Sequence, residues 1–411
     1  MTREGHRLFL VFSSIVCLAG CHSAPIAEYA KFAEPANSYV PASGSENAFD
    51  LYAQTADSVE RVAGKHLTRV WFTPGQKQDA QKLLEPYVHK VEAAERHACN
   101  FQFSPKGPFD RTRYQRGWRL IGWCFYWDIQ DACAAGDFDK AVRTTVLATR
   151  FGFDLTGGGA VDASTGLHIV DDARKALAYY LGRLSPSQLR ALEEGVKAAI
   201  NGKPPISQTI SNERSDTMQA IQTLQEQYRD GKLDRFVDEF GSDVREPISY
   251  LKDLQPTDPK RAQFFKSFAD YADENVAYAK KLAETPAIGR DKVVKPVMPT
   301  DHPWRRLAKY FVHAPIPLIK LNDITTARTR LLIIEAELTR RQKLHMGLPN
   351  DLSGFLPSIT IDPYTGNPMI YVSDHVDDYK VYSVGADCVD NGGQTDSAFL
   401  QPDLKLERPI P

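Results

Sequence analysis

Oxygen-bearing side chains gather in one short stretch near the end of the chain, "VGADCVDNGGQTD" at 384–396. Its donors are Asp387, Asp390, Asn391 and Asp396. Calcium takes about six to eight oxygen ligands from carboxylates, amides, backbone carbonyls and water. Closely spaced carboxylates repel one another unless a cation or solvent lies between them, and the two glycines let backbone carbonyls turn inward. The stretch predicts a calcium site, with a plain solvated turn as the alternative.

A second group of chemically capable residues lies in "LHIVDDARKAL" at 167–177. On a helix, His168 and Asp172 are one turn apart and face each other, and such pairs serve in general acid–base catalysis. The alternative, which the sequence favours, is a set of surface ion pairs such as Asp171 with Lys175. We therefore assign no catalytic residue, and an acid–base group near His168 is the enzymatic alternative.

Signatures of other common chemistries are missing from the sequence. His89 and His97 are too far apart for the helical zinc spacing of three or four residues. The "TGGG" at 156–159 lacks the Lys-Ser/Thr pair of a phosphate loop, so it predicts the end of a helix and a turn. The nucleophile motif Gly-x-Ser-x-Gly does not occur.

Tryptophans are concentrated between Trp118 and Trp127, with Trp123 between them. Aromatic side chains of this density line sugar or peptide grooves, which makes a small-ligand binder a further alternative. Packing between helices is the interpretation we prefer, since Trp123 and Trp127 share one helical face.

The start of the chain predicts export. Arg3 and Arg7 precede the apolar run "LFLVFSSIVCLAG" at 8–20, which is too short to span a bilayer and is typical of a signal peptide. The run ends in "LAGC" at 18–21, which resembles the lipobox of bacterial lipoproteins. The resemblance implies cleavage before Cys21, a diacylglycerol and an acyl chain on Cys21, and an outer-membrane lipoprotein facing the periplasm. An ordinary signal peptide cleaved nearby is the alternative.

Composition and cysteine content limit the function classes. The 411 residues are 42% hydrophobic and carry a formal net charge of −2, which argues against disorder and against nucleic-acid binding. Beyond Cys21 the chain has Cys99, Cys124, Cys133 and Cys388. Cys124 and Cys133 fall on opposite faces of one predicted helix and cannot pair. We predict a bridge from Cys99 to one of them, with Cys388 paired across domains or free.

Periodicity predicts a mainly α protein. Apolar residues at helical spacing begin with Phe49, Tyr52, Ala56, Val59 and Val62. A helical hairpin is expected over 113–152 with its turn at "GDFD", and another helix from the N-cap Ser185 to Gly202. A single helix is expected over 233–254.

The predicted organisation has five parts. They are a lipoprotein signal peptide at 1–20, a tether at 21–45, a helical domain at 46–285, a proline-rich linker at 286–319 and a small α+β domain at 320–411.

The last part carries a family resemblance. A helix with an apolar stripe from Leu321 to Leu338 precedes "DPYTGNPMIY", and strands are expected at 368–372 and 379–384 around a turn at 374–377. This order, with "YKVYSVGAD" and the acidic loop, resembles the C-terminal domain of the type II secretion major pseudopilin. The resemblance implies a long helix, an antiparallel hairpin and a calcium-binding loop. The family opens on a cleaved apolar helix, whereas this helix is internal, amphipathic and interrupted by arginines; Cys388 replaces a usual glycine.

These features together favour a non-enzymatic envelope scaffold or adaptor for protein partners, linked to secretion and held to the membrane by its lipid. The alternatives are a periplasmic hydrolase using residues near His168 and a small-ligand binder using the Trp118–Trp127 face.

Overall fold

The structure is a computed structural model that describes residues 47–63, 73–101, 114–255, 257–312, 315–373, 378–394 and 403–406. The predicted leader and tether, and with them Cys21, lie outside the described residues.

Helices account for most of the described chain, which confirms the mainly α prediction. They are α1 (Ala48–Ala63), α2 (Pro74–Ala94), α3 (Tyr114–Ala135), α4 (Phe138–Leu155), α5 (Ala160–Ala178), α6 (Pro186–Gly202), α7 (Ile206–Arg229), α8 (Asp234–Phe240), α9 (Arg245–Asp253), α10 (Pro259–Glu284), α11 (Arg305–Phe311), α12 (Ile316–Lys343) and α13 (Pro357–Thr360). The strands are β1 (Ile370–Ser373) and β2 (Tyr379–Tyr382), and 3-10 turns cover Leu181–Arg183, Ser242–Val244 and Ala287–Lys292. None of the described helices combines the length and apolar character needed to cross a bilayer.

Local signals place several helix ends as predicted. Ser185 caps α6 by accepting a hydrogen bond from the Gln188 amide at 3.3 Å, and Pro186 occupies the first turn. The hairpin turns at Gly136, whose φ of 78° is left-handed, and Asp137 caps α4.

The first core lies among α1, α3, α4, α5 and α6. Phe49, Tyr52, Ala56 and Val59 are buried, as their spacing predicts, whereas Val62 is exposed. Small residues let the helices approach closely. A Cβ atom at Gly117 of α3 would lie 2.2 Å from the Ala56 carbonyl oxygen of α1, so a side chain there would push the two helices apart.

A second core gathers around α10. The single helix predicted over 233–254 is wrong, because Gly241, with a φ of 82°, breaks it into α8, a 3-10 turn and α9. This break folds Phe236 and Val244 inward onto Phe268. Trp304, from the segment predicted as a linker, stacks on Phe268 at 5.6 Å between ring centroids.

Helix α12 packs against α5 and α6. The predicted apolar stripe is buried from Ala327 to Leu338, whereas Leu321 and Ile324 are half-buried. The residues around the stripe from Leu331 to Thr339 are buried as well, including Glu335. The amphipathic pattern expected for α12 is therefore lost over 331–339, where all sides of the helix are covered. Its outer side is covered by the C-terminal segment, where the Tyr379 hydroxyl donates to Glu335 Oε2 at 2.6 Å.

The C-terminal strands form the expected antiparallel hairpin. Its register runs from Ile370 opposite Tyr382 to Ser373 opposite Tyr379. The predicted turn at 374–377 lies outside the described residues. A bridge between Ser383 and Leu404 brings the short segment 403–406 beside the end of β2.

The predicted disulfide is wrong, because all four cysteines beyond the leader have free thiols. Cys124 and Cys133 are buried in α3, whereas the Cys99 sulfur lies 4.0 Å from the backbone oxygen of Asp154.

Candidate functional site

The acidic loop, residues 385–394, follows directly from β2. Its backbone is left-handed at Gly385, Cys388, Gly392 and Gly393. Cys388 is unusual there, since its φ is 58° and non-glycine residues disfavour this region. Glycine would therefore be the less strained residue at this position.

Three of the four predicted ligands, Asp387, Asp390 and Asn391, lie on the surface of this loop. Asp387 accepts hydrogen bonds from the Val389 amide and from the Asn391 side chain, each at 3.1 Å. Asp390 Oδ1 accepts from the Tyr382 hydroxyl at 2.9 Å and from the Gly392 amide at 2.8 Å. Asp387, Asp390 and Asn391 are all exposed, and Asp396 lies outside the described residues.

Asp403 is a buried member of the site that the sequence did not reveal. Its carboxylate accepts hydrogen bonds from the backbone N–H groups of Asn391, at 3.1 Å, and Gly393, at 2.6 Å. These bonds hold the glycine turn in place. The bridge of Leu404 to Ser383 positions it. The alternation of Leu404 and Leu406 with polar residues was the available signal for this short extended segment.

Asp362 is a second missed residue, at the start of "DPYTGNP". It is buried and accepts from the amides of Tyr364 at 2.9 Å and Val384 at 3.0 Å. Burial raises the pKa of its carboxyl, with these amides opposing the shift. Asp362 thus ties the motif before β1 to the entrance of the acidic loop.

The fit of this loop to a metal ion is partial. Within the described ranges, no three or more His, Cys, Asp or Glu side chains are grouped so that they could hold an ion. Lys405 also places its ammonium 5.9 Å from the centre of the Tyr382 ring, close to the loop. Burial and the neighbouring Asp390 carboxylate raise the pKa of Tyr382 to about 12, so this hydroxyl stays protonated and donates.

Asp172, the carboxyl predicted to pair with His168, is half-buried on α5, where burial raises its pKa and the nearby Lys175 and His168 oppose the shift. His168 is exposed and its Nδ1 lies 2.7 Å from the backbone oxygen of Ser164. Burial alone would raise the pKa of Asp171, but its cationic neighbours lower it to about 2. Those neighbours are Arg174 and Lys175 of α5 and Arg328 of α12. Asp171 is consequently a fixed anion that joins two helices.

The "TGGG" segment forms the predicted turn between α4 and α5. The Asn212 side chain donates to the carbonyl oxygens of Gly157 and Gly158, at 2.8 and 2.9 Å. The first amides of α5 donate to protein carboxylates, Gly159 to Asp162 and Ala160 to Glu213. The donors that would bind a phosphate are therefore used within the protein.

The remaining candidates are scattered. His89 lies on the surface of α2 with its Nδ1 3.4 Å from Glu92. Trp118 is fully buried and donates to the Tyr52 carbonyl oxygen, whereas Trp123 and Trp127 are half-buried and contact each other. The three tryptophans therefore do not line one surface.

Sequence reasoning missed a polar cluster inside the first core. The Tyr52 hydroxyl donates to Asp154 at 3.0 Å, and Glu95 lies close by with its Oε1 buried and without a hydrogen-bond partner among the described residues. Burial raises the pKa of Glu95 to about 8 and that of Asp154 to about 6. Burial also raises the pKa of Cys99, which is the opposite of what a nucleophilic thiol needs. No pattern reveals this cluster, since its members come from separate segments.

No protein-family model, curated protein or solved structure matches this chain.

Proposed function

We propose that this protein is a bacterial outer-membrane lipoprotein that acts as a non-enzymatic scaffold or adaptor for envelope or secreted proteins. The lipid chains on Cys21 would anchor it, and the segment 320–411 would serve as a pseudopilin-like module rather than as a fibre subunit. The lipobox and the C-terminal motifs of the sequence support these two parts of the proposal.

The observation that carries the adaptor proposal is a cluster of exposed apolar side chains in one short segment. Val294 is 88% exposed, Val297 is 84% exposed and Ile288 is 55% exposed. Single exposed apolar residues are common on proteins. Two in the extended residues after Lys292, with a third in the 3-10 turn before them, are typical of a surface that a partner covers.

The contacts of the titratable groups also favour an adaptor over a hydrolase. Asp171 is paired with three cations, and His168 bonds to the backbone of its own helix. Burial raises the pKa of both Glu95 and Asp154. A hydrolytic site needs a base and a nucleophile that converge on an accessible position. Asp171 instead joins α5 to α12, and the Tyr52–Asp154 hydrogen bond joins α1 to α4.

The adaptor proposal is tested by the proteins that the tagged chain retains from gently solubilised envelopes. We expect specific proteins to be retained by the wild type and lost from the double variant Val294→Asp, Val297→Asp, because a carboxylate on an apolar contact is costly to bury. Val372→Asp is the matched control, since Val372 is also exposed but lies on β1. Equal retention by all three proteins, measured by quantitative mass spectrometry, would contradict the proposal.

The lipid anchor is tested separately: Cys21→Ser should move the chain from the membrane to the soluble fraction.

We further propose that the acidic loop binds calcium through Asp387, Asp390, Asn391 and Asp396. The exposed oxygens of Asp387 and Asp390 and the left-handed glycine backbone support the proposal. Within the described residues, Asp390 Oδ2 accepts no hydrogen bond, so it is available to an ion.

Calcium titration of the full chain tests this site. A ligand that binds the folded state alone adds about 1.4 kcal/mol of stability at tenfold its Kd, so the melting temperature should rise with calcium. The variant Asp387→Asn, Asp390→Asn should lose both the rise and the calorimetric heat. The control Asp238→Asn, Asp253→Asn removes two exposed carboxylates elsewhere. Absence of heat and of any shift at millimolar calcium would exclude the site.

A further inference from the structure

A shallow, open groove, which we call the α10 groove, runs between α10 and residues 289–296, which comprise the end of the 3-10 turn Ala287–Lys292 and the extended residues after it. Its volume is about 730 Å³. One wall is the face of α10 that carries Tyr278 and Lys281, and the other carries Lys292, Val294 and Lys295. The size suits a few residues of a peptide or a small molecule.

The outer wall of the groove is held in place from several directions. Arg290 Nε donates to the carbonyl oxygens of Leu282 and Thr285, at 2.8 and 2.9 Å, and its guanidinium pairs with Asp323 of α12. The Ile288 amide donates to the Tyr364 carbonyl oxygen at 2.9 Å. The wall is therefore preformed, and a ligand would not have to order it.

The charge of the groove is positive. Lys281, Lys292 and Lys295 are exposed, and none of them forms an ion pair with a carboxylate of the described residues. Among the described residues that line the groove, Glu274 is the one acidic group. Three ammonium groups around Tyr278 and Val294 match a ligand that carries both carboxylate and apolar groups.

The backbone of the outer wall also has unused donors. Residues 294–299 are neither helix nor strand, and Pro296 and Pro299 interrupt them. Within the described part of the chain, the amides of Val294, Lys295 and Val297 donate no backbone hydrogen bond. An extended peptide can pair with such a segment through its own carbonyl oxygens.

We propose that the α10 groove binds an extended segment of a partner protein that presents apolar side chains together with acidic ones. The proposal rests on the adaptor function and names the surface and the chemistry of its partner. The backbone donors of the outer wall favour a peptide over an anionic bilayer, because the carbonyl oxygens of a peptide can accept from them.

Peptide selection with the full chain tests the groove directly. A phage-displayed library of random peptides is selected on the wild type, with counter-selection on the variant Lys281→Glu, Lys292→Glu, Lys295→Glu. We expect the enriched peptides to combine Asp or Glu with apolar residues. Binding of a synthetic enriched peptide, measured by fluorescence anisotropy, should weaken at least about tenfold in the variant, because three attractions become repulsions. It should also weaken with added salt.

A matched control has the charge reversals Lys82→Glu, Lys309→Glu and Lys320→Glu at exposed lysines outside the groove. This control should bind the peptide as the wild type does. The proposal is overturned if no peptide is enriched, if the enriched peptides lack acidic residues, or if both variants weaken binding equally. It is also overturned if vesicles with phosphatidylglycerol bind the wild type through the same lysines and peptides do not. Partner retention in the adaptor experiment can succeed while this experiment fails, so the two outcomes are distinguishable.

Discussion

At the scale of single residues, Glu95 makes the stability of the protein depend on pH. Its pKa is raised by burial from the usual 4.5 to about 8, with Arg150 opposing the shift. The folded state therefore holds a proton that the unfolded state releases between these two values. The free energy of unfolding must fall as pH rises through this window, because the folded state binds more protons there. Below pH 4.5 both states are protonated and this effect vanishes.

We expect Glu95→Gln to be close to neutral at pH 4.5 and to stabilise the protein by about 1–3 kcal/mol at pH 8, since an amide cannot ionise. Urea unfolding at both values, with the midpoints compared between proteins, measures the difference. Asp79→Asn is the control, because Asp79 is exposed on the preceding helix α2 and is not among the charges that shift the pKa of Glu95. A Glu95→Gln protein whose stability still follows the wild-type pH dependence would disprove a protonated Glu95.

At the scale of elements, local chemistry made some of the fold predictable. The cap Ser185 with Pro186, the left-handed turn at Gly136 and the alternation in 379–382 each act within a few residues, and the sequence predicts all three. The break at Gly241 escaped prediction because apolar residues continue at helical spacing on both sides of it. A single glycine within such a pattern is tolerated in many helices.

The burial of α12 shows why other features were not predictable. Its charged residues indicated a solvent-facing side, but Glu337 pairs with Arg340 and Arg341, and Glu335 accepts from Tyr379. These partners satisfy the charges and allow the helix to be covered. The acidic loop is similar: its exposed donors are visible in the sequence, whereas Asp362 and Asp403 reach it only through tertiary contacts.

At the scale of the whole molecule, α12 joins the helical body to the C-terminal segment. On one side Lys203, at the end of α6, donates to Asn322, and Asp171 of α5 pairs with Arg328. Burial lowers the pKa of Lys203 to about 8. On another side of α12, Arg330 donates to the Ile361 carbonyl oxygen and ties the helix to the C-terminal segment. Because α12 contacts both the helical body and the C-terminal segment, the unfolding of one part removes contacts from the other, and the two are coupled.

We therefore expect the full chain between α1 and the acidic loop to unfold in one cooperative transition, in which the helical body and the segment 320–411 melt together. Asp323→Ala tests this, because it leaves Arg290 as an uncompensated cation near the middle of the coupled region. Removing one partner of a buried pair costs about 3 kcal/mol, so the entire calorimetric peak should move to lower temperature. Asp273→Ala is the control, since it breaks a half-exposed pair with Arg214 and should cost less than about 1 kcal/mol. Two peaks, of which Asp323→Ala shifts only one, would instead make the segment 320–411 an independently folding domain.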